Sequence, residues 1–139
     1  MRQGQAWGIA NWSGVTESVL QRASAISKQQ VEREPENGVL WLNRGFVQVR
    51  AGDHANAIAS LDRAKSLNAP LVPTNLLLAV AHAKLGNISQ SQQHYDQSKE
   101  DVLFGEALRT IEMRRLRDEA KTAIENVDPS LRKLNHDSP

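Results

Sequence analysis

A chain of 139 residues has room for one domain, and its 40% hydrophobic content is enough to build a packed core rather than a disordered coil. Seventeen Lys and Arg against sixteen Asp and Glu leave a formal charge of +1, which argues against a strongly basic nucleic-acid binder or an acidic tail protein. The absence of cysteine excludes disulfides, a thiolate nucleophile and thiolate metal sites.

Taken in chain order, residues 15–33 place Val15, Val19, Ala23, Ile26 and Gln30 on one helical face, with Ser13 or Thr16 positioned to cap the start. Pro35 and Asn37-Gly38 close that segment. A second helix is predicted from Val39 to about Ala51 and stops at Gly52-Asp53. A third runs from His54 to Leu67, with Ala57, Ile58, Leu61 and Ala64 at helical spacing. Asn68-Ala69-Pro70 and Pro73 punctuate the next connection, and a fourth helix from Thr74 to Leu85 stops at Gly86-Asn87. The fifth, from Ser89 to about Asp101, is polar but keeps Ser91, Tyr95 and Ser98 on one face. A longer sixth helix spans about Gly105 to Asn126, closed by Asp128-Pro129, and residues 129–139 read as a flexible tail. No strand pattern interrupts the series. The expected class is all-α, built from short antiparallel hairpins.

A fixed period organises these helices. Gly52-Asp53 and Gly86-Asn87 are 34 residues apart, and so are Trp7 and Trp41. Pro35 and Ala69, the latter followed by Pro70, close their units one period apart. Trp41, Gly45, Gly52, Ala57, Leu61 and Ala64, followed one period on by Leu78, Ala79, Gly86, Ser91, Tyr95 and Ser98, fall at the signature positions of a known family. In this pattern the chain resembles the tetratricopeptide repeat (TPR). Small residues at Gly45, Ala57, Ala79 and Ser91 let the two helices of a unit approach closely, while Trp41, Leu61 and Tyr95 fill the gaps between units. Arg44 and Gln48 depart from the pattern, standing where the family places Leu and an aromatic. Gly14 interrupts the first unit. The order of Trp41, Arg44-Gly45, NLLLAVAHAKLGN, Tyr95-Asp96 and EALRTIEMRRLRDEAKTAIE also resembles the C-terminal repeat tails of some large bacterial multidomain proteins linked to kinase or WD-repeat modules, although no kinase signature is present.

The resemblance implies a single TPR-like domain over residues 1–128, with repeats at about 4–37, 38–71 and 72–105, and a capping helix at 105–127. Its expected architecture is a right-handed α-α superhelix of stacked antiparallel helix pairs. Such an array lines its concave surface with the first helix of each unit, where the family binds peptides. Projected onto this chain, that surface comprises Val39, Leu42, Phe46, Val49, Arg50, Leu76, Leu77, Val80 and Lys84. It is mostly apolar, so the Lys and Asn clamp by which some members of the family grip a C-terminal carboxylate is not expected. Leu42, Phe46 and Val80 should accordingly be less buried than Trp41, Leu61 and Leu78.

No catalytic constellation is visible. His54, His82, His94 and His136 form neither an HExxH motif nor an i,i+4 pair, and no GxSxG, P-loop or GxGxxG sequence occurs. The carboxylates read as solvated among Lys, Arg and Gln. Arg109, Arg114, Arg115, Arg117 and Lys121 suggest nucleic acid, but Glu112, Asp118 and Glu119 interleave as Glu112–Arg115, Arg114–Asp118 and Arg115–Glu119 pairs, and no aromatic is placed for stacking. The opposite stripe of that helix (Ala107, Leu108, Ile111, Leu116, Ala120, Ala123, Ile124 and Val127) is expected to cap the open end of the stack, with dimerisation as its other use. The longest apolar run, Leu76 to Ala81, falls short of the roughly 20 residues that cross a bilayer. The N-terminal residues lack an apolar signal region. The sequence therefore leads to a non-enzymatic, cytoplasmic protein-interaction scaffold without cofactor or metal. Its expected partner is a peptide or amphipathic helix of another protein, and a concave face covered by a terminal segment is the competing arrangement. The alternative role is a structural or oligomerisation element of a larger assembly, including a homodimer.

Overall fold

A computed structural model describes residues 16–127, and the described residues form only helices and short connections. Local chemistry sets each boundary. Helix α1 (Glu17–Arg33) starts at Thr16, whose Oγ1 accepts the Val19 N–H at 3.4 Å. Helix α2 (Gly38–Arg50) starts at Asn37, whose Oδ1 accepts the N–H groups of Val39 at 3.1 Å and Leu40 at 3.3 Å. Helices α2 and α4 (Leu71–Lys84) each run into a glycine in the left-handed region, Gly52 at φ 81° and Gly86 at φ 80°. The same turn therefore recurs at the 34-residue period, opening α3 (His54–Ser66) after Gly52 and α5 (Ile88–Glu100) after Gly86.

Two boundaries differ from the expectation. Helix α4 begins before Thr74, because Pro73 falls in its first turn, where a missing N–H leaves no acceptor unsatisfied. The last predicted helix is two pieces, α6 (Phe104–Ala107) and α7 (Ile111–Val127). Thr110 makes the break: its Oγ1 accepts the Met113 N–H at 3.2 Å and caps α7. The buried face of α1 also differs. It is Ala23, Ser27 and Val31, with Val19, Ile26 and Gln30 only half-buried. A fully buried serine is tolerated there because its hydroxyl donates to the Ser24 carbonyl at 3.0 Å and lies 3.2 Å from the Arg44 Nη1 donor.

Helices α2 and α3 form one antiparallel hairpin and α4 and α5 the next. Helix α1 packs on α2, α3 packs on α4, and α7 lies mainly along α4 with a smaller contact to α5. Small buried residues recur at the period on α1, α3 and α5: Ala23, Ala57 and Ser91. On the facing helix, a Cβ added to Gly45 would sit 2.5 Å from Cγ and Cδ2 of Leu61, while the Ser91 hydroxyl donates to the Ala79 carbonyl at 2.6 Å. All-α architecture thus follows from capped, glycine-terminated segments that close on small residues. The readings that rest on Trp7, Ser13, Gly14, Val15, Asp128, His136 and residues 129–139 lie outside the described residues.

Candidate functional site

The projected concave surface is the place to begin, and its residues are sealed rather than open. Phe46, Leu76, Leu77 and Val80 have no exposed surface, and Leu42 and Val49 are buried with them in one contiguous core. Only Val39, 40% exposed, and Lys84 reach solvent freely, while Arg50 is part-buried. The expected order of burial is therefore reversed: Trp41 is half-buried, with its indole N–H donating to the Pro35 carbonyl at 2.8 Å, whereas Phe46 and Val80 are fully enclosed. Leu61 and Leu78 are enclosed as expected.

The cover over α4 is the chain's own. Asn75, Ala79 and His82 mark the side of α4 that faces α3 and α5, through contacts to Lys65, Ser91 and His94. Leu76, Leu77 and Val80 fall on the opposite side of α4 by helical spacing, and α2 and α7 are also packed on this helix. Helix α7, which packs along α4, buries Leu116, Ala120, Ala123 and Ile124, while Ile111 and Val127 at its two ends stay exposed. The helix packs on the last hairpin, chiefly along α4 with a smaller contact to α5.

One ion pair ties α7 to α2. Arg50 grips Glu119 in a bidentate arrangement, Nη1 to Oε2 at 2.6 Å and Nη2 to Oε1 at 2.7 Å. The same guanidinium lies 4.9 Å from the centroid of the Phe46 ring, so a cation–π contact adds to the ion pair. Sequence spacing had paired Glu119 with Arg115. The structure pairs it across 69 positions instead, and Asp118 is bonded to Arg117 at 2.7 Å rather than to Arg114. His54 sits nearby with its pKa lowered, first by burial and then by Lys84, against the opposing pull of Asp53 and Glu119.

The other side of α4 carries a polar cluster that sequence reading did not assemble. Lys65 Nζ donates to Asn75 Oδ1 at 2.9 Å and to Gln97 Oε1 at 3.0 Å, and His94 Nδ1 is 3.2 Å from the same Asn75 oxygen. The His82 and His94 rings stack with centroids 5.4 Å apart and planes 14° from parallel. Burial lowers both pKa values, and Lys65 and His82 lower that of His94 further, while Asp62 opposes. The period held the signal: Gln48 and Ser60, one unit earlier, make a 2.6 Å hydrogen bond at the same two positions.

Among the described residues no group of three His, Asp or Glu side chains is placed to hold a metal ion, and no helix is long and apolar enough to cross a membrane. The chain's own amphipathic helix α7 is thus held by a buried apolar stripe and one ion pair to Arg50. Comparison with protein-family models, with curated proteins and with solved structures gives no match to this chain.

Proposed function

We propose that this chain is a non-catalytic protein–protein interaction module of the tetratricopeptide type. It binds an amphipathic helix of a partner protein on the inner surface formed by α2 and α4. The observation that carries this reading is the helix already seated there: α7 presents an apolar stripe to α4 and an acidic residue to Arg50. A partner helix of the same pattern has the same contacts to gain. Leu76 and Val80 become available to it as α7 leaves, and Arg50 supplies the charged anchor. The 34-residue recurrence of the glycine turns and of the small residues at Ala23, Ala57 and Ser91 supports the superhelical repeat architecture.

The test uses the full chain. Glu119→Lys opposes Arg50 and weakens the resident helix, so that variant should capture a labelled peptide of residues 109–127, read by fluorescence anisotropy. The unaltered chain should bind the peptide more weakly, because its own α7 competes at an effective concentration of order millimolar. Failure of both chains to bind would refute the reading. A second role, in association between copies, is favoured by Val102, 96% exposed, and the exposed Leu103 before α6, and by the exposed Ile111 at the start of α7. Light scattering at several concentrations separates the two, since only the second requires the mass to rise.

A further inference from the structure

The face of the stack opposite to α7 contains two grooves that the repeat makes equivalent, and they are finished differently. Between α3 and α5, over α4, Lys65 reaches across to Asn75 and Gln97 and fills the space, with the stacked His82 and His94 beside it. One period earlier, between α1 and α3 over α2, Val31 stands in the place of Lys65 and Ser60 in that of His94. These two side chains are shorter, and among the described residues a cleft is present there, lined by Lys28, Val31, Trp41, Arg44 and Arg63, with the Gln48–Ser60 hydrogen bond also in its lining.

The cleft has a definite chemistry. Among the described residues, three cationic side chains line it and no carboxylate does. Arg44 is the informative one. It is part-buried, and its bonded nitrogen, Nη1, meets only neutral oxygens: the Ser24 carbonyl at 2.8 Å, Ser24 Oγ at 3.0 Å and Ser27 Oγ at 3.2 Å. No ion pair to Arg44 forms within the described residues; Asp53 and Glu32 act on it only at longer range. A part-buried guanidinium with only neutral partners on one edge has its strongest unmet interaction with an anion, and its fork geometry suits a carboxylate. Arg63 touches Glu36 only at 3.8 Å, and that carboxylate is 84% exposed, so the contact yields readily to a better partner. Val31 and the half-buried Trp41 add an apolar wall.

We infer that the cleft between α1 and α3 is a second binding site, for an acidic peptide segment in which carboxylates flank an apolar side chain. The carboxylates lie on Arg44, Arg63 and Lys28, and the apolar side chain lies against Trp41 and Val31. This site is independent of the α7 groove and stands whether or not α7 is displaced.

The experiment titrates the full chain into a fluorescein-labelled, end-blocked peptide of sequence Glu-Asp-Leu-Asp-Glu and reads anisotropy. Binding is expected, weakening as salt rises, and the Gln-Asn-Leu-Asn-Gln peptide should not bind. Lys28→Glu with Arg63→Glu, both on exposed positions, should weaken binding about tenfold or more with an unchanged circular dichroism spectrum. Glu119→Lys should leave it unchanged, which separates this site from the inner groove. No binding of the acidic peptide, equal binding of the neutral one, or indifference to the double charge reversal would each overturn the assignment. Tighter binding of a short oligothymidylate at the same residues would overturn it too, by making the cleft a nucleic-acid site.

Discussion

Gly45→Ala, a change of one methyl group, probes the close approach on which the helix pair α2–α3 depends. The added Cβ would lie 2.5 Å from Cγ and Cδ2 of Leu61, well inside the roughly 3.5–4.0 Å at which carbons rest. Leu61 has no exposed surface, so it has no empty direction in which to turn, and the helices must separate. Overpacking of this kind costs about 1–3 kcal/mol, against which better helix propensity returns up to about 1 kcal/mol. Leu61→Ala alone should cost about 2–5 kcal/mol through the cavity it leaves. Combined, the two changes partly cancel, because the new methyl group occupies part of the space that the leucine vacated. The double variant should therefore be more stable than the sum of the single costs by at least about 1 kcal/mol. Urea unfolding followed by circular dichroism, with the m-value held as a check on two-state behaviour, measures all three. Additive costs, or a Gly45→Ala variant as stable as the parent, would refute the argument that α2 and α3 touch at this point.

The remaining predictions address other parts of the stack. Ala57→Trp should abolish cooperative unfolding or lower stability severely, since Ala57 is fully buried at the same helix crossing; an unchanged melting temperature would contradict the repeat register. Asn37→Ala removes the acceptor of two N–H groups at the start of α2 and should cost about 1 kcal/mol in urea unfolding. His82 and His94 have folded pKa values below the ordinary 6.5, so the unfolded chain binds more protons and stability must fall as pH drops below about 6.5. His94→Gln should flatten that dependence between pH 7 and 5, and an unchanged slope would show that the stacked pair contributes nothing to it.

Helix positions were legible in the sequence because local signals dominate them. Thr16, Asn37, Gly52 and Gly86 act within a few residues of themselves, and the structure uses each of them at a helix end. The 34-residue period also exposed which small residues would be buried, Ala57 and Ser91 among them. Accessibility of the inner face was not legible. Periodicity assigns Phe46 and Val80 to a face but carries no information about what lies over that face, and the cover is set by contacts distant in the chain. Glu119 illustrates the limit: spacing offered it Arg115 on its own helix, whereas Arg50 offers two short hydrogen bonds beside an aromatic ring. The break before α7 was missed for a related reason, since an apolar stripe continues through Leu108 and Ile111 while one capping threonine between them redirects the chain.

Native-state hydrogen exchange on the unaltered chain tests most directly whether α7 is a displaceable occupant of the inner face. The account predicts that the amides of α7 exchange through a local opening of lower free energy than global unfolding, while those of α4 remain protected to the global limit. Glu119→Ala should lower the α7 opening free energy and leave α4 protected. Exchange of α7 and α4 together, only through global unfolding, would contradict it and make α7 a permanent part of the core.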